Sequence, residues 1–439
     1  MLFNISLLTI LACGEVKDTA SSDDTGSSFS QNNNNIEGIE CTDNVCILSG
    51  TITEDLTLTK DTIYLLRGGV YIGNDTDSTV LTIEAGTTIY GESSTDGMLI
   101  VRRYSQIMAE GTAEEPIVFT SSKEPGSRSR GDWGGLIING NAPINACADE
   151  DSFCEAFGEG GTGFYGGTDS ADDSGVLKYV RVEFAGTLVS PENELNGIAF
   201  QGVGSSTEVD YIQVHMNADD GIEFFGGSVV VKHVLVTSVG DDSLDWTDGW
   251  TGGAQFVILH QSDDNGDNGI EADNNAENND ATPRSMPTLS NLSIIGSPDS
   301  ERSDFGVLLR EGSAAILANS LVVGFNEACL SMDHDATFTQ LDAGNVTITN
   351  SVLNCAINFE SSNNMDLETW FLHQEGNALG RAELKDAYNL TSPDYSPNST
   401  GDAIPVDAST LYSSFDSTDF VGAIGSEDWT AGWTTYERN

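Results

Sequence analysis

"DDGIEF" (219–224) belongs to a set of four similar segments, the others being "LNGIAF" (195–200), "DDSLDW" (241–246) and "DNGIEA" (267–272). Each segment contains a small residue, then an aliphatic residue, then a variable position. The aliphatic residues are 24, 22 and 26 positions apart: Ile198, Ile222, Leu244 and Ile270. Repetition at a nearly constant period of this length is typical of a solenoid, in which each repeat is one structural unit.

The segments between these turns repeat at a period of 22 and alternate apolar with polar residues. They are "YIQVHM" (211–216), "HVLVTS" (233–238) and "QFVILH" (255–260). Alternation with period two is typical of a β-strand with one buried face. We expect two stacks of core residues, one with Ile212, Val234 and Phe256 and the other with Val214, Val236 and Ile258.

Short strands, turns rich in Gly and Asn, and a period near 22 predict an all-β fold, a single-stranded parallel β-helix. Each residue then lies above the equivalent residue of the previous turn, about 4.8 Å away. An antiparallel sandwich is the alternative, but it explains neither the constant period nor the stacks. We assign residues 41–360 to the β-helix and residues 361–439 to a C-terminal cap and final β segment.

Several further segments carry a family resemblance: "LTIEAGTTIYG" (81–91), "GDWGGLIINGNAPIN" (131–145), "GDDSLDW" (240–246) and "DFVGAIGSEDWTAGWT" (419–434). Together they resemble a mostly uncharacterised family of exported bacterial lipoproteins with a pectate-lyase-like β-helix. The resemblance runs from about residue 80 to residue 434. It implies a right-handed parallel β-helix and leaves the activity open.

The N-terminus is similar to a lipoprotein export signal. An apolar run from Leu2 to Ala12 is too short to span a bilayer as a helix and ends in "ILAC" (10–13). We therefore predict a signal and lipobox in residues 1–13, with lipidation at Cys13; an ordinary cleaved signal peptide is the alternative. Residues 14–40, rich in Ser, Asp and Asn, are predicted to be a flexible tether. These features place the folded part on a bacterial outer membrane or cell surface.

Six cysteines remain besides Cys13, and an even number in an exported chain favours disulfides. Their spacings suggest one of the fifteen pairings. Two pairs would close short loops, and the third would join adjacent turns of the β-helix. The predicted pairs are Cys41–Cys46, Cys147–Cys154 and Cys329–Cys355.

The charge excludes some classes of partner. The chain has 17 Lys and Arg against 69 Asp and Glu, which gives a formal net charge of −52. Such a field repels nucleic acid and attracts cations, notably Ca²⁺, whose preferred ligands are oxygens. The partners that we expect are a membrane, through the lipid, and a glycan; the sequence does not predict an oligomeric state.

The repeated segments stack carboxylates in columns. Side chains about 5 Å apart on stacked strands repel one another unless a cation bridges them, protons neutralise them, or they splay into solvent. We predict that calcium bridges these carboxylates. The alternative, in which they point into solvent, stays open. The candidate ligands are Asp219, Asp220, Glu223, Asp241, Asp242, Asp245, Asp267 and Glu271.

A catalytic reading also stays open. The segment "NADDGIE…SVGDDSLD" resembles the "NTD" and "GDD" motifs of polygalacturonase-type glycoside hydrolases, which use aspartate pairs as acid and base. The resemblance points to Asp219, Asp220, Asp241 and Asp242, and Arg310, in "LLRE" (308–311), is the nearest candidate for the "RIK" motif of this enzyme family. The histidine that this enzyme family needs one turn later is absent from "SDDNGDNG" (262–269).

These observations predict a surface-exposed, lipid-anchored binding or adhesion module that calcium stabilises. A polysaccharide hydrolase or lyase is the alternative, and a purely structural surface protein is the third possibility. Trp246 is expected in the core by alternation, whereas Trp250, which follows a turn, is expected at the surface, where it could stack on a sugar ring.

The anchor makes a direct prediction. The change Cys13→Ser removes the lipid-accepting thiol, so it should abolish labelling by a fatty-acid probe and shift the protein from the membrane fraction to the soluble fraction. Unchanged membrane association would show that residues 1–13 do not act as a lipoprotein signal.

Overall fold

The computed structural model describes residues 36–147, 153–190 and 193–439. Within these ranges, 27 strands form one continuous sheet that is mainly parallel. Strands pair with their equivalents one turn earlier and one turn later, which confirms the predicted right-handed parallel β-helix. The predicted signal, Cys13 and positions 14–35 of the predicted tether lie outside the described residues.

The N-terminal half of the chain contains short strands and two small antiparallel hairpins, β11–β12 and β14–β15. A 3₁₀ turn, Glu159–Gly161, lies inside the first hairpin. The strands are β1 (Ile39–Thr42), β2 (Val45–Ile52), β3 (Leu56–Leu58), β4 (Ile63–Ile72), β5 (Val80–Ile83), β6 (Thr88–Gly91), β7 (Met98–Val101), β8 (Gln106–Glu110), β9 (Ile117–Ser121), β10 (Leu136–Asn139), β11 (Ala156–Phe157), β12 (Phe164–Tyr165), β13 (Gly175–Glu183), β14 (Leu188–Ser190) and β15 (Asn193–Glu194).

The C-terminal half contains the regular turns of the β-helix, two short helices, α1 (Asp335–Asp342) and α2 (Leu367–His373), and a 3₁₀ turn, Ala408–Thr410. Its strands are β16 (Ile198–Gln201), β17 (Glu208–His215), β18 (Ile222–Phe225), β19 (Val230–Thr237), β20 (Leu244–Thr247), β21 (Gly253–His260), β22 (Ile270–Ala272), β23 (Thr288–Ile295), β24 (Phe305–Leu309), β25 (Ala315–Ala318), β26 (Leu321–Val323), β27 (Ala328–Met332), β28 (Val346–Thr349), β29 (Val352–Asn354), β30 (Phe359–Ser361), β31 (Ala378–Leu379), β32 (Ala382–Asp386) and β33 (Asp394–Thr400).

The pairings define three faces around the core. The first face includes β5, β8, β25, β28 and the first halves of β13, β17, β19, β21 and β23. The second face includes β6, β9, β26, β29, β31 and the second halves of the same long strands. The third face includes β7, β10, β16, β18, β20, β22, β24, β27 and β30.

The third face follows the predicted alternation. Ile198, Ile222, Leu244 and Ile270 form one buried column, as the sequence predicts. Trp246 is also fully buried. Each such side chain stabilises the fold by roughly 1.5–3 kcal/mol through burial.

A column of small residues lets the wall of the third face approach the core residues of the second face. A Cβ on Gly197, Gly221 or Gly306 would lie 2.4 Å from a valine methyl group of the second face. A Cβ at these three positions would force the neighbouring valine to move, which favours glycine there; the equivalent position before Leu244 holds Ser243, another small residue.

The predicted register is wrong by one residue on β21. Val234 pairs with Val257 instead of Phe256, and Leu259 instead of Ile258 occupies the next core position. The connection from β20 to β21 is one residue longer than the connection from β18 to β19. Because side chains alternate between the two surfaces of a strand, this single insertion exchanges the inward and outward residues.

Phe256 instead lies at the bend between the first and second faces. Each long strand passes this bend through one residue of positive φ, and these residues are Tyr179, Tyr211, His233, Phe256 and Asn291. The left-handed conformation costs a non-glycine residue roughly 1–2 kcal/mol. Ring stacking offsets part of this cost, because successive ring centroids from Tyr179 to Phe256 are 4.4, 4.1 and 4.7 Å apart.

The segment after β30 covers two different regions. Phe371 of α2 packs against Phe359 of β30 with the ring centroids 5.5 Å apart. The C-terminal residues run back along the bend and the second face. Asp416 contacts Gln255 of β21, just before the bend, and Thr435 contacts Gln213 of β17 on the second face. This C-terminal tail buries outward apolar side chains of the second face that would otherwise meet water.

The three predicted disulfides are confirmed. Cys41–Cys46 and Cys147–Cys154 close loops within a turn, with sequence separations of 5 and 7. Cys329–Cys355 joins adjacent turns, with the two Cα atoms 5.6 Å apart. A crosslink that closes the longer loop restricts the unfolded chain more.

The core position of Val234 can be tested with a matched pair of variants. Val234 is fully buried, whereas Val230, on the same strand, is half-buried. Val234→Asp buries an unpaired charge and should lower the free energy of unfolding by several kcal/mol. Val230→Asp should cost less than about 1 kcal/mol. Denaturant titration measures both; equal losses would contradict the assigned register.

Candidate metal centre on the third face

A row of carboxylates lies on the outer surface of the third face. Glu223, Asp245 and Glu271 pair in register on β18, β20 and β22, as the sequence predicts. Asp220 and Asp242 lie in the turns immediately before β18 and β20. These five residues are referred to below as the acidic row.

Asp220 and Asp242 are tied to the main chain of the next turn. The backbone N–H of Asp242 donates to Oδ1 of Asp220 at 2.9 Å, and the N–H of Asn268 donates to Oδ1 of Asp242 at 2.6 Å. Asp220, Asp242 and Asn268, which hold equivalent positions in three of the repeated segments, thus form a column. One oxygen of each carboxylate is engaged in holding successive turns together, and both side chains are buried.

Amide and guanidinium groups close the two ends of the row. At one end, Nδ2 of Asn196 donates to Oε2 of Glu223 at 2.5 Å. At the other end, Nδ2 of Asn268 donates to Oε2 of Glu271 at 3.3 Å, and Arg310 ion-pairs with Glu271 and with Asp273. The terminal carboxylates therefore have neutral or cationic donors.

The centre of the row lacks such donors. Oδ1 of Asp245 is buried and has no hydrogen-bond partner among the described residues. No Lys or Arg in the described ranges ion-pairs with Asp220, Asp242 or Asp245. An unpaired buried carboxylate is costly, so this position calls for a cation or a proton.

The carboxylates converge in two equivalent triads. Asp220, Glu223 and Asp245 form one, and Asp242, Asp245 and Glu271 form the other, one turn further along. In each triad, one ligand oxygen per residue lies within 4.8 Å of the others. Two further groups at the adjoining corner bring in the remaining predicted ligands: Asp219, Asp220 and Asp241, and Asp241, Asp242 and Asp267.

Burial is the main cause of the pKa shifts in the acidic row. It raises the pKa of Asp245 well above its ordinary value, and the charges of Glu223 and Glu271 raise it further. Burial likewise raises the pKa of Asp220 and of Asp242, and neighbouring carboxylates add to both shifts. The row therefore holds protons strongly when no cation is bound.

The alternative in which these carboxylates point into solvent does not hold for most of the row. Asp220, Glu223 and Asp242 are each less than a tenth exposed. Asp241 alone among the eight predicted ligands is exposed. Splaying therefore cannot relieve the repulsion within the row.

The donor set suits a hard cation. The four groups contain carboxylate oxygens and neither histidine nor cysteine. Ca²⁺ takes six to eight oxygen ligands in flexible geometry, whereas Zn²⁺ prefers nitrogen and sulfur. Three carboxylates per triad leave the other ligand positions to main-chain carbonyls and water.

The comparisons with known proteins identify the family. A family model described as a pectate-lyase like beta helix domain matches residues 50–434. The chain belongs to this family. Neither the curated proteins nor the solved structures gave a match. In the described ranges, no helix has the length and apolar character needed to cross a membrane.

The structure brings the catalytic candidates together but also engages them. Oδ1 of Asp220 and of Asp242 accepts main-chain N–H groups, as described above. Arg310 is held by Asp273, with Nε 2.8 Å from Oδ1. These contacts suit side chains that fix the structure, whereas an acid–base pair needs groups open to a substrate.

The expected exposure of Trp250 is wrong. Its ring is fully buried and stacks on Phe224 with the centroids 3.9 Å apart. Exposed aromatic rings lie instead on the hairpin β11–β12, where Phe157 and Phe164 are 60 % and 43 % exposed. This hairpin borders the acidic row, because Tyr165 packs against Phe225 at the end of β18.

Two residues of the site were missed by sequence reasoning. Asn196 occupies the position of Asp220 one turn earlier, so the repeat itself carried the signal for it. Asp273 follows β22 by one residue and holds Arg310. Arg310 and Asp273 directly follow paired residues of β22 and β24, so they hold equivalent positions on successive turns. This turn is 37 residues long, and the shorter repeat of the sequence therefore does not align them.

The raised pKa values predict how the metal-free protein responds to pH. Burial raises the pKa of Asp267 and of Glu271 to about 7, from 3.8 and 4.5. The folded state thus binds these protons more tightly, and the stability they confer is lost as the pH rises through about 7. In chelator, the melting temperature should fall between about pH 6.5 and about pH 8.

Glu271→Gln should flatten this dependence, whereas Glu301→Gln, on an exposed turn, should leave it unchanged. His215 and His260 act in the opposite sense at lower pH, because burial lowers the pKa of each to about 4. The comparison is therefore confined to pH values above about 6.5. A melting temperature that rises with pH in chelator would contradict the assignment.

Proposed function

We propose that the acidic row binds Ca²⁺ and that the bound ion stabilises the β-helix as a surface binding module. The observation that carries the proposal is the centre of the row, where the two triads share Asp245 and Oδ1 of this residue has no donor. A cation in either triad would contact Asp245 and relieve the repulsion between successive turns.

The ends of the row support the same reading. Asn196 and Asn268 supply neutral donors where the carboxylate columns stop, and Arg310 supplies a positive charge. The protein thus neutralises the ends with its own side chains. The middle turn, with Asp242 and Asp245, relies on an external charge.

We further propose that the module binds a glycan beside the acidic row. Phe157 and Phe164 form an exposed edge-to-face pair with centroids 5.0 Å apart. Exposed aromatic rings stack on the apolar faces of sugars, and bound Ca²⁺ can coordinate sugar hydroxyl or carboxylate oxygens. We also propose that a lipid on Cys13 anchors the protein in the outer membrane and holds this surface outside the cell. The protein is proposed not to bind nucleic acid.

A polysaccharide hydrolase or lyase is the second candidate. It is favoured by the proximity of Asp219, Asp220, Asp241 and Asp242, which share two groups of close carboxylates. The buried, raised-pKa carboxyls could supply a proton at neutral pH. The main-chain contacts of Asp220 and Asp242 make this the weaker candidate.

Chelation tests the calcium proposal. A ligand bound only by the folded state stabilises it by mass action, so chelator should lower the melting temperature and Ca²⁺ should restore it. The double variant Asp242→Asn with Asp245→Asn should lose most of this response, because it removes two ligands of one triad. Differential scanning calorimetry with and without Ca²⁺ measures the effect.

The matched control replaces two acidic residues outside the row, Asp299→Asn with Glu301→Gln, and should respond to chelator like the unchanged protein. Incubation with neutral and acidic polysaccharides then separates the two functions. Calcium-dependent retention without new reducing ends supports binding. Release of reducing ends that the double variant abolishes would instead establish the hydrolase.

A further inference from the structure

The last residues of the C-terminal tail lie across the outer surface of the second face and are held there by side chains of the β-helix. Gln213 of β17 pairs with the main chain of Thr435: it donates to the carbonyl oxygen at 2.7 Å and accepts from the N–H at 2.9 Å. Arg181, one turn earlier on β13, donates to the carbonyl oxygen of Trp433 at 2.7 Å. Residues 433–439, referred to below as the tail end, are therefore docked mainly through their main chain.

His215, two residues after Gln213 on β17, also contacts the tail end. It is buried, with Nε2 2.9 Å from the carbonyl oxygen of Glu437 and Nδ1 2.7 Å from Oγ1 of Thr237. Because a carbonyl oxygen only accepts hydrogen bonds, Nε2 of the neutral ring carries the proton and Nδ1 accepts from the threonine hydroxyl. The neutral ring therefore satisfies both partners.

His260 of β21 supports the tail end from the same outer column, in which Thr237 lies between the two histidines. It is buried, and its Nδ1 lies 3.0 Å from the hydroxyl oxygen of Tyr395 in β33. Tyr395 lies beside Tyr436 of the tail end, with the ring centroids 6.5 Å apart. Nε2 of His260 has no hydrogen-bond partner among the described residues, so a charged ring would leave one buried N–H without an acceptor.

The surroundings of the two rings disfavour a further positive charge. The charged and titratable groups around them are Arg181 and Glu183 of β13, Arg130 of the loop after β9, Asp263 and Asp264 of the loop after β21, Tyr395 of β33, Asp428 of the tail, and Tyr436, Glu437 and Arg438 of the tail end. Three of the carboxylates, Glu183, Asp263 and Asp264, are already paired with arginines. Burial lowers the pKa of His215 and of His260 to about 4, and the arginines add to the shift of His215.

We propose that the end of the C-terminal tail is an acid-sensitive strap, which His215 and His260 hold on the second face while they are neutral and release when they are protonated. Both rings bind a proton more weakly in the docked state than in water, where the pKa of histidine is about 6.5. Their contribution to docking is therefore complete above about pH 6.5 and is lost as the pH falls toward about 4. The strap does not depend on the proposed calcium function.

Release of the strap leaves the β-helix itself intact. The two histidines lie outside the core, and main-chain hydrogen bonds hold β17 and β21 to the neighbouring turns whatever the charge of the rings. Tyr436 of the tail end packs against the apolar cluster that contains Leu235 and Ile258. Release withdraws this side chain, so acid exposes part of an apolar surface that is covered at neutral pH.

Hydrogen exchange of the full chain tests the strap, measured by mass spectrometry between pH 7 and pH 4.5 and corrected for the intrinsic exchange rate. Each histidine takes up one proton on release. The protection of tail-end amides should therefore fall by up to about tenfold per pH unit for each histidine below about pH 6. The protection of β17 and β19 should change little over the same range.

The double variant His215→Gln with His260→Gln keeps a hydrogen-bonding side chain at each position but cannot gain a charge. Its tail-end protection should be nearly independent of pH. His373→Gln, on the exposed surface of α2, is the matched control and should respond to pH like the unchanged protein. Arg438→Gln removes the ion pairs of the tail end; it should lower protection at every pH and leave the pH dependence in place.

NMR titration of the histidine rings in the unchanged protein keeps the test independent of the variants. His215 and His260 should stay neutral at pH 6 and gain protons together with the loss of tail-end protection. Four results would each overturn the proposal: tail-end protection that is independent of pH, simultaneous loss of protection in β17, unchanged pH dependence in the double variant, or protonation of both histidines near pH 6.5 while the tail end stays protected.

Discussion

The main-chain hydrogen bonds between successive turns are the constraint on which this structure depends. They hold each strand of the third face directly above its equivalent, as in the pairing of Ile222 with Leu244 and of Glu223 with Asp245. The same register that stacks aliphatic residues in the core must therefore stack carboxylates outside it. At a spacing of about 4.8 Å, the first stack stabilises the fold and the second opposes it. The stacked carboxylates of the acidic row therefore lower the stability of the fold. The architecture imposes this effect wherever the repeat carries an acidic residue at that position.

Strand alternation made the third face predictable, whereas turn length and turn packing were not encoded in any periodic pattern. Ile198 to Ile270 and the column of Glu223, Asp245 and Glu271 lie where the repeat places them. Phe256 does not lie where the repeat places it. The turn before β21 has one extra residue, so the residues of β21 are shifted by one position relative to the repeat. Trp250 lies in that turn, where alternation gives no guide to burial, and it packs on Phe224.

The sequence predicted which carboxylates of the candidate site form columns, but not which groups contact and surround them. Sequence spacing identified which carboxylates stack; it did not show that Asp220 and Asp242 accept main-chain N–H groups, because that contact depends on the turn conformation. Nor did spacing connect Arg310 with Glu271 and Asp273. Both contacts change the chemistry: the first makes two predicted ligands partly structural, and the second neutralises one end of the row.

The distribution of donors along the row supports the proposed cation binding over protonation alone. If protons alone relieved the repulsion, the O–H of each protonated carboxyl could donate to the next carboxylate, but its other buried oxygen would still need a donor along the whole row. Side-chain donors occur at the two ends, at Glu223 and Glu271, and Asp220 and Asp242 accept main-chain N–H groups. The buried Oδ1 of Asp245 has no partner among the described residues. A single cation beside Asp245 would satisfy that oxygen and draw ligands from two adjoining turns at once. Such an ion would link the same successive turns as the main-chain hydrogen bonds do. It would therefore stabilise the register that stacks the carboxylates.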